Sequence, residues 1–243
     1  MDLINTPTKL SVNINKLATI RNARGGNNPD IVQWAKKIES YGAHGITVHP
    51  RPDQRHIRFD DVYLLKEHLT TEFNIEGYPT QDFIDMVLKV QPAQVTLVPD
   101  APDVLTSNNG WDTITHQSFL KEVVSAFKAK NIRVSIFLNP EVKYLEGAKA
   151  TGTDRIELYT EAYASHYHAN KAAAIAPYVT TAQAALALGL GINAGHDLDL
   201  HNLRYFSEQV PGLLEVSIGH ALVCDALEYG MANTVKMYLN QLG

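Results

Sequence analysis

The sequence predicts a single (β/α)8 barrel, and three observations carry that expectation. Eight short apolar runs rich in β-branched residues are spread along 243 residues. Segments of helical periodicity separate them, and several runs stop on an ionisable side chain. Strict alternation of strand and helix gives a parallel sheet, and eight such units in a chain of this length fit a closed barrel better than an open doubly wound sheet. The run endings matter because barrel enzymes keep their chemistry at the C-terminal tips of the strands. Residues 45–49 read GITVH, 73–76 read FNIE and 191–196 read GINAGH.

In chain order the expected strands are 10–14, 45–49, 73–76, 94–98, 133–138, 155–159, 191–193 and 214–218, each an apolar run bounded by turn residues or charge. After the first strand, Asn28 is expected to cap a helix with Pro29 in its first turn. Ile31, Trp34, Ala35 and Ile38 give that helix one apolar face, and Gly42 lies past its end. Thr80 opens another, with Phe83, Ile84, Val87 and Leu88 on one side. Asn139 and Pro140 repeat the cap-then-proline signal, and residues 221–242 supply a last long helix. The interval 162–189, which contains Pro177, is too long for one connection, so an extra helix is expected after the sixth strand. Two loops on the catalytic side, 21–28 and 100–110, are candidate lids. No stretch reads as a linker, so residues 1–243 are expected to form one domain.

Composition excludes several classes of function. A chain that is 45% hydrophobic can bury a large core. A net charge of −5 gives no basic footprint for nucleic acid, so an anionic ligand must be bound locally. One cysteine, Cys224, cannot form an internal disulfide, and no signal segment opens the chain, so a reduced, cytoplasmic setting is expected. No apolar run approaches the roughly 20 residues that span a bilayer.

The strand tips gather the residues that carry chemistry. Asn13, Asn15 and Lys16 follow the first strand, His49 and Arg51 the second, Glu76 the third, and Thr106 lies in the loop after the fourth. His196 and Asp197 follow the seventh, and Gly219 and His220 the eighth. His49, Glu76 and His196 are the proton-transfer candidates, because imidazoles and a partly desolvated carboxylate titrate close enough to neutrality to work in both directions. The run Ser217-Ile218-Gly219-His220 passes straight from strand to helix, where backbone N–H groups can hold a phosphate; alternatively, Gly219 only makes a tight turn. Arg24, Arg51, Arg55 and His56 form a cationic cluster in the first two loops, suited to bidentate phosphate contact. Of these, Arg55 reads as a solvated surface residue.

Other chemistries find less support. The pair His166 and His168 lies in the inserted segment, away from the first strand tip where barrel hydrolases bind metal, so metal dependence is not expected. Lys16 sits past a strand rather than inside one, which disfavours an enzyme-linked imine. From the residues alone, a sugar-phosphate epimerase or aldolase and a catalytically inactive ligand-sensing barrel stay open.

The segments SVNINKLATIRNARGG (11–26), GITVHPRPDQRHI (45–57), FNIEGYP (73–79), VTLVPD (95–100), INAGHDLDLHN (192–202) and SIGHAL (217–222) resemble the pyridoxine 5′-phosphate synthase family. The resemblance implies a barrel enzyme that joins 3-amino-2-oxopropyl phosphate to 1-deoxy-D-xylulose 5-phosphate, releasing inorganic phosphate and water. It implies acid/base roles for His49, Glu76 and His196. It assigns Asn13, Gly219 and His220 to the aminoketone phosphate, and Arg24, Arg51, His56 and Thr106 to the sugar phosphate. Many members have Asp-His where this chain has Asn15-Lys16, and glycine at Asp197; here Asn15, Lys16 and Asp197 are expected to contact substrate. Imines formed by the substrates themselves need no cofactor. The resemblance also implies an octamer built from dimers.

Overall fold

The structure, a computed structural model, describes residues 6–99 and 109–243. Its core is a closed barrel of eight parallel strands in sequence order. They are β1 (Lys9–Asn13), β2 (Gly45–Val48), β3 (Glu72–Gly77), β4 (Gln94–Leu97), β5 (Arg133–Leu138), β6 (Arg155–Leu158), β7 (Gly191–Ala194) and β8 (Leu213–Ile218). β8 closes on β1, with Leu10 opposite Val216 and Ser11 opposite Ser217. All eight expected strands are present within two residues at either end.

The strand alternation decides what fills the barrel. Leu10, Val12, Ile46, Val48, Ile75 and Val95 are buried against the helical layer, while the residues between them are polar and point inward. Bonds between non-neighbouring strands fix that direction, because they can only cross the lumen. Gln94 Nε2 of β4 donates to Glu215 Oε1 of β8 (3.2 Å), and Thr96 Oγ1 of β4 donates to Glu157 Oε2 of β6 (3.4 Å). At the N-terminal end Arg133 donates to Gln94 Oε1 (2.8 Å) and pairs with Glu72, which also binds Lys9. Arg155 reaches Asn193 Oδ1 (3.1 Å) and Glu215 (3.6 Å). This barrel is floored by an ion-pair lattice rather than by the aliphatic layers usual in the fold.

The helices are α1 (Asn15–Arg24), α2 (Ile31–Ser40), α3 (Phe59–His68), α4 (Gln81–Val90), α5 (Gln117–Lys128), α6 (Leu145–Thr151), α7 (Glu161–Ala187), α8 (Leu203–Gln209), α9 (His220–Tyr229) and α10 (Met231–Gln241). Thr80 caps α4 as expected, accepting from Phe83 N (3.3 Å). The expected extra helix is present: α7 breaks at Asn170 (φ −160°, ψ 89°), giving two helical pieces between β6 and β7.

Four expectations change. The cap of α2 is Asp30, which accepts from Gln33 N (3.0 Å), and not Asn28. Residues 21–24 are helical, so the expected lid at 21–28 shrinks to the short turn after α1. Asn139 caps no helix; its Oδ1 accepts from Gly110 N (3.1 Å) and its Nδ2 donates to Asn109 (3.0 Å). The last helix is two, because Gly230 at φ +76° breaks it. The other expected lid, at 100–110, lies for the most part outside the described residues.

Candidate active site

Glu76 stands inside the mouth of the barrel. Its Oε2 accepts from Asn13 Nδ2 of β1 and its Oε1 from Ser217 Oγ of β8, both at 3.4 Å. Neither strand neighbours β3, so two bonds across the lumen aim this carboxylate at the axis.

Glu157, which none of the strand-tip reasoning singled out, shares that lumen. It is 4% exposed, and burial, then the nearness of Glu76 and Glu215, pushes its carboxyl well above the usual carboxylate range. Two carboxylates in one low-dielectric space do not both ionise readily, and burial favours the neutral form of Glu157. A sequence signal existed: in RIEL, Glu157 sits mid-strand between two apolar residues, in a strand type normally buried on both faces.

The tip of β1 organises the next strand. Asn13 Oδ1 accepts from Asn15 N (3.0 Å), and Asn15 Oδ1 accepts from His49 N (2.9 Å). His49 is buried, and burial first, then Arg51, His56, Arg55 and His196, holds its imidazole well below the usual range. It is therefore neutral at pH 7 and resists protonation, a departure from the two-way titration expected of it, because burial and the neighbouring cations oppose a second positive charge there. His56 packs edge-on with its ring centroid 6.2 Å away; burial, then Arg51 and Lys16, lowers it to about 4. Arg51 is 5% exposed. Two imidazoles kept neutral beside cations mark a locally positive field that an anion would relieve. Arg55 is ion-paired to Asp53 (2.7 Å), in line with a surface role.

On the opposite wall His196 Nδ1 lies 2.8 Å from Asp197 Oδ2. Asp197 N donates to Thr160 Oγ1 (3.1 Å), which donates to Gly195 O (3.0 Å), so the turn after β7 is tied back to β6. Asp197 thus contacts the candidate acid. At β8 the helix α9 starts at His220 with no side-chain cap, leaving its first N–H groups for an anion. A Cβ on Gly219 would lie 3.0 Å from Asn13 Cβ and 3.1 Å from Asn13 O, so close strand approach also requires this glycine.

Not every candidate converges. His220 is exposed, its Nε2 3.7 Å from Cys224 Sγ. Lys16 and Arg24 are exposed at the two ends of α1, and Thr106 lies outside the described residues. His166 and His168 are exposed on α7, where His168 neighbours His201 (6.4 Å between rings). Among the described residues no three His, Cys, Asp or Glu side chains are grouped to hold a metal.

Residues 10–243 match the family described as pyridoxal phosphate biosynthesis protein PdxJ. The pyridoxine 5′-phosphate synthase of Cytophaga hutchinsonii is 62% identical over 235 residues, covering 97% of this chain and 99% of that protein. That of Christiangramia forsetii is 60% identical with the same coverage. Among solved structures, Mycobacterium tuberculosis tryptophan synthase superposes with a TM-score of 0.65 at 11% identity, covering 97% of this chain and 93% of that one. The N-(5′-phosphoribosyl)anthranilate isomerase of Pyrococcus furiosus gives 0.62 at 10%, covering 97% and 98%. At such identities the structures speak for the fold alone.

Proposed function

The chain belongs to the pyridoxal phosphate biosynthesis protein PdxJ family, and from that premise we propose that it condenses 3-amino-2-oxopropyl phosphate with 1-deoxy-D-xylulose 5-phosphate into pyridoxine 5′-phosphate, inorganic phosphate and water. It is an enzyme of pyridoxine phosphate synthesis; the substrates and the residue roles are the proposal. The observation that carries it is Glu76, aimed into the lumen by Asn13 and Ser217, in a mouth that also presents a neutral, buried imidazole at His49.

The reaction needs repeated proton transfer and no change of oxidation state. The substrate amine adds to the ketone and loses water to form an imine, phosphate leaves as inorganic phosphate, and ring closure by aldol-type addition and dehydration expels a second water. Glu76 removes protons from carbon and nitrogen as imine and enamine interconvert. His49, neutral at working pH, assists as a second base. His196, backed by the Asp197 carboxylate, protonates departing oxygen. The carboxyl of Glu157, pushed up by burial and by the nearness of Glu76, lies in the same lumen, and in its protonated form it adds no negative charge beside the candidate base. Two phosphates call for two anion sites. Arg51 and His56 take the sugar phosphate, and Asn13, Gly219 and the start of α9 take the aminoketone phosphate; Lys16, Arg24 and His220, exposed in the structure, and Thr106, outside the described residues, join them only as the family resemblance assigns. Asn15 acts on substrate through the backbone of His49.

The same reading carries a cytoplasmic octamer built from dimers; among the described residues no helix is long and apolar enough to cross a membrane. Turnover of the two phosphorylated substrates by the purified protein tests the proposal directly. Glu76→Gln keeps size and hydrogen bonding but cannot accept a proton, so kcat should fall at least about 100-fold with folding unchanged. Near-normal turnover by that variant would remove Glu76 from the mechanism.

A further inference from the structure

We infer that Asn22, anchored by the Arg21–Asp61 ion pair, is a positioning residue that holds the cationic loop after β2 in its anion-binding shape. The inference rests on reading Arg51 and His56 as the sugar-phosphate site.

Arg21 is 1% exposed, a guanidinium sealed beneath α1. Its fork closes on Asp61, Nη1 to Oδ1 at 2.6 Å and Nη2 to Oδ2 at 2.8 Å. Asp61 also accepts from Arg58 N (2.7 Å), which fixes the first turn of α3. The remaining donors of Arg21 turn towards the loop: Nη2 reaches His56 O (3.1 Å), and Nε reaches Asn22 Oδ1 (3.1 Å). A guanidinium so enclosed, with four of its five N–H donors engaged, is out of a substrate's reach; it acts through its neighbours.

Asn22 completes the grip. With Oδ1 fixed by Arg21, its Nδ2 donates to His56 O (2.7 Å) and Gln54 O (3.3 Å). Gln54 is the point of strain, with φ +50°, a left-handed conformation that non-glycine residues adopt only when their surroundings impose it. Its own N–H bonds Arg51 O (2.9 Å), so the turn that Asn22 holds is the one joining Arg51 to His56. At the other end of the same helix Asn15 Oδ1 holds His49 N. One helix therefore grips both ends of residues 49–56, and the cations are placed before the anion arrives, which removes an ordering cost from binding.

Asn22→Ala is the informative variant, since the side chain is only half-buried and the Arg21–Asp61 pair survives it. Hydrogen exchange followed by mass spectrometry across residues 49–58, with inorganic phosphate as the titrant, reads the loop without requiring turnover. Phosphate should protect this segment in the wild type. In Asn22→Ala the half-protecting concentration should rise about five- to tenfold, with exchange in α10 and the thermal midpoint essentially unchanged. With substrates, the KM for the sugar phosphate should rise by a similar factor while kcat and the other KM change less than about twofold. Equal protection in both proteins, no protection in the wild type, or a loss confined to kcat or thermal midpoint would each overturn the inference. Protection that shifts in a protein without turnover would keep the inference and discard the proposed reaction. Turnover with unshifted protection would do the reverse.

Discussion

Glu157→Gln should make the protein more stable at neutral pH while leaving it little changed in acid. The carboxyl is 4% exposed, its neighbours in the lumen include Glu76 and Glu215, and burial is the main cause of its raised pKa. In the unfolded chain it titrates near 4.5, so above that pH folding must take up one proton. The sign follows: a group whose folded value is raised contributes stability that is fully present below 4.5 and is lost as pH climbs towards the folded value. One proton corresponds to about 1.4 kcal/mol per pH unit. Glutamine keeps the shape and needs no proton. The difference in unfolding free energy between variant and wild type should therefore widen at about that slope from pH 4.5 upward until the folded value is reached. Denaturant unfolding of both proteins at pH 4, 5, 6 and 7, at one fixed protein concentration, measures it. The pH 4 pair isolates the cost of exchanging hydroxyl for amide. A difference that stays flat between pH 5 and 7 would mean that Glu157 is ionised in the fold, and the assignment of the proton to it would fall.

Three further outcomes are expected. Arg51→Ala should raise the KM for the sugar phosphate by a factor equivalent to about 1.5–3 kcal/mol, the worth of a charge-assisted contact; an unchanged KM would reject that contact. Glu72, lowered to about 2 with Lys9 and Arg133 hydrogen-bonded to it although burial opposes the shift, contributes stability that is present above 4.5 and lost as pH falls through 2. That contribution is at most about 3 kcal/mol, and acid titration of Glu72→Gln should show a shallower loss than wild type over that interval. Finally, turnover should survive exhaustive chelation without any added organic cofactor; activity lost on chelation and restored by a divalent ion would overturn the cofactor-free chemistry.

Strand positions were legible because each run is short, β-branched and bounded, and a barrel leaves little choice of order once eight are counted. The placement of candidate residues at the tips was legible for the same reason: His49 and Glu76 end runs whose bodies are apolar on every second residue. Less visible was what those second residues do. In KLSVN, EFNIEG and RIEL the polar residues recur at a period of two, a pattern usually read as a solvent-facing strand. Closure of the sheet turns that face inward, and only the closed sheet brings Thr96 to Glu157. Helix ends were harder. Gly25-Gly26-Asn27-Asn28 suggested a loop from Arg21 onward, but tertiary contact with Asp61 keeps Arg21 helical. Asn139-Pro140 carries a cap signal that is instead spent on Gly110, 29 positions away in sequence yet adjacent in space. Local propensity cannot see such partners.

The lattice that floors the barrel has a consequence for how this chain can vary. Arg133 answers to Glu72, Gln94 and Glu215 together, and Arg155 to Asn193 and Glu215. Truncating the buried Glu215 strands the charges of Arg133 and Arg155, a change costing about 3–5 kcal/mol for a buried pair, while losing the partly exposed Glu72 costs less. Single substitutions in the floor should therefore be purged, while exchanges that swap two partners at once, or replace the set with aliphatic residues together, should be tolerated. Divergence at these positions is then expected in correlated jumps rather than by independent drift, and a paired-mutation scan of Arg133 with Glu72 would show the double change milder than either single one.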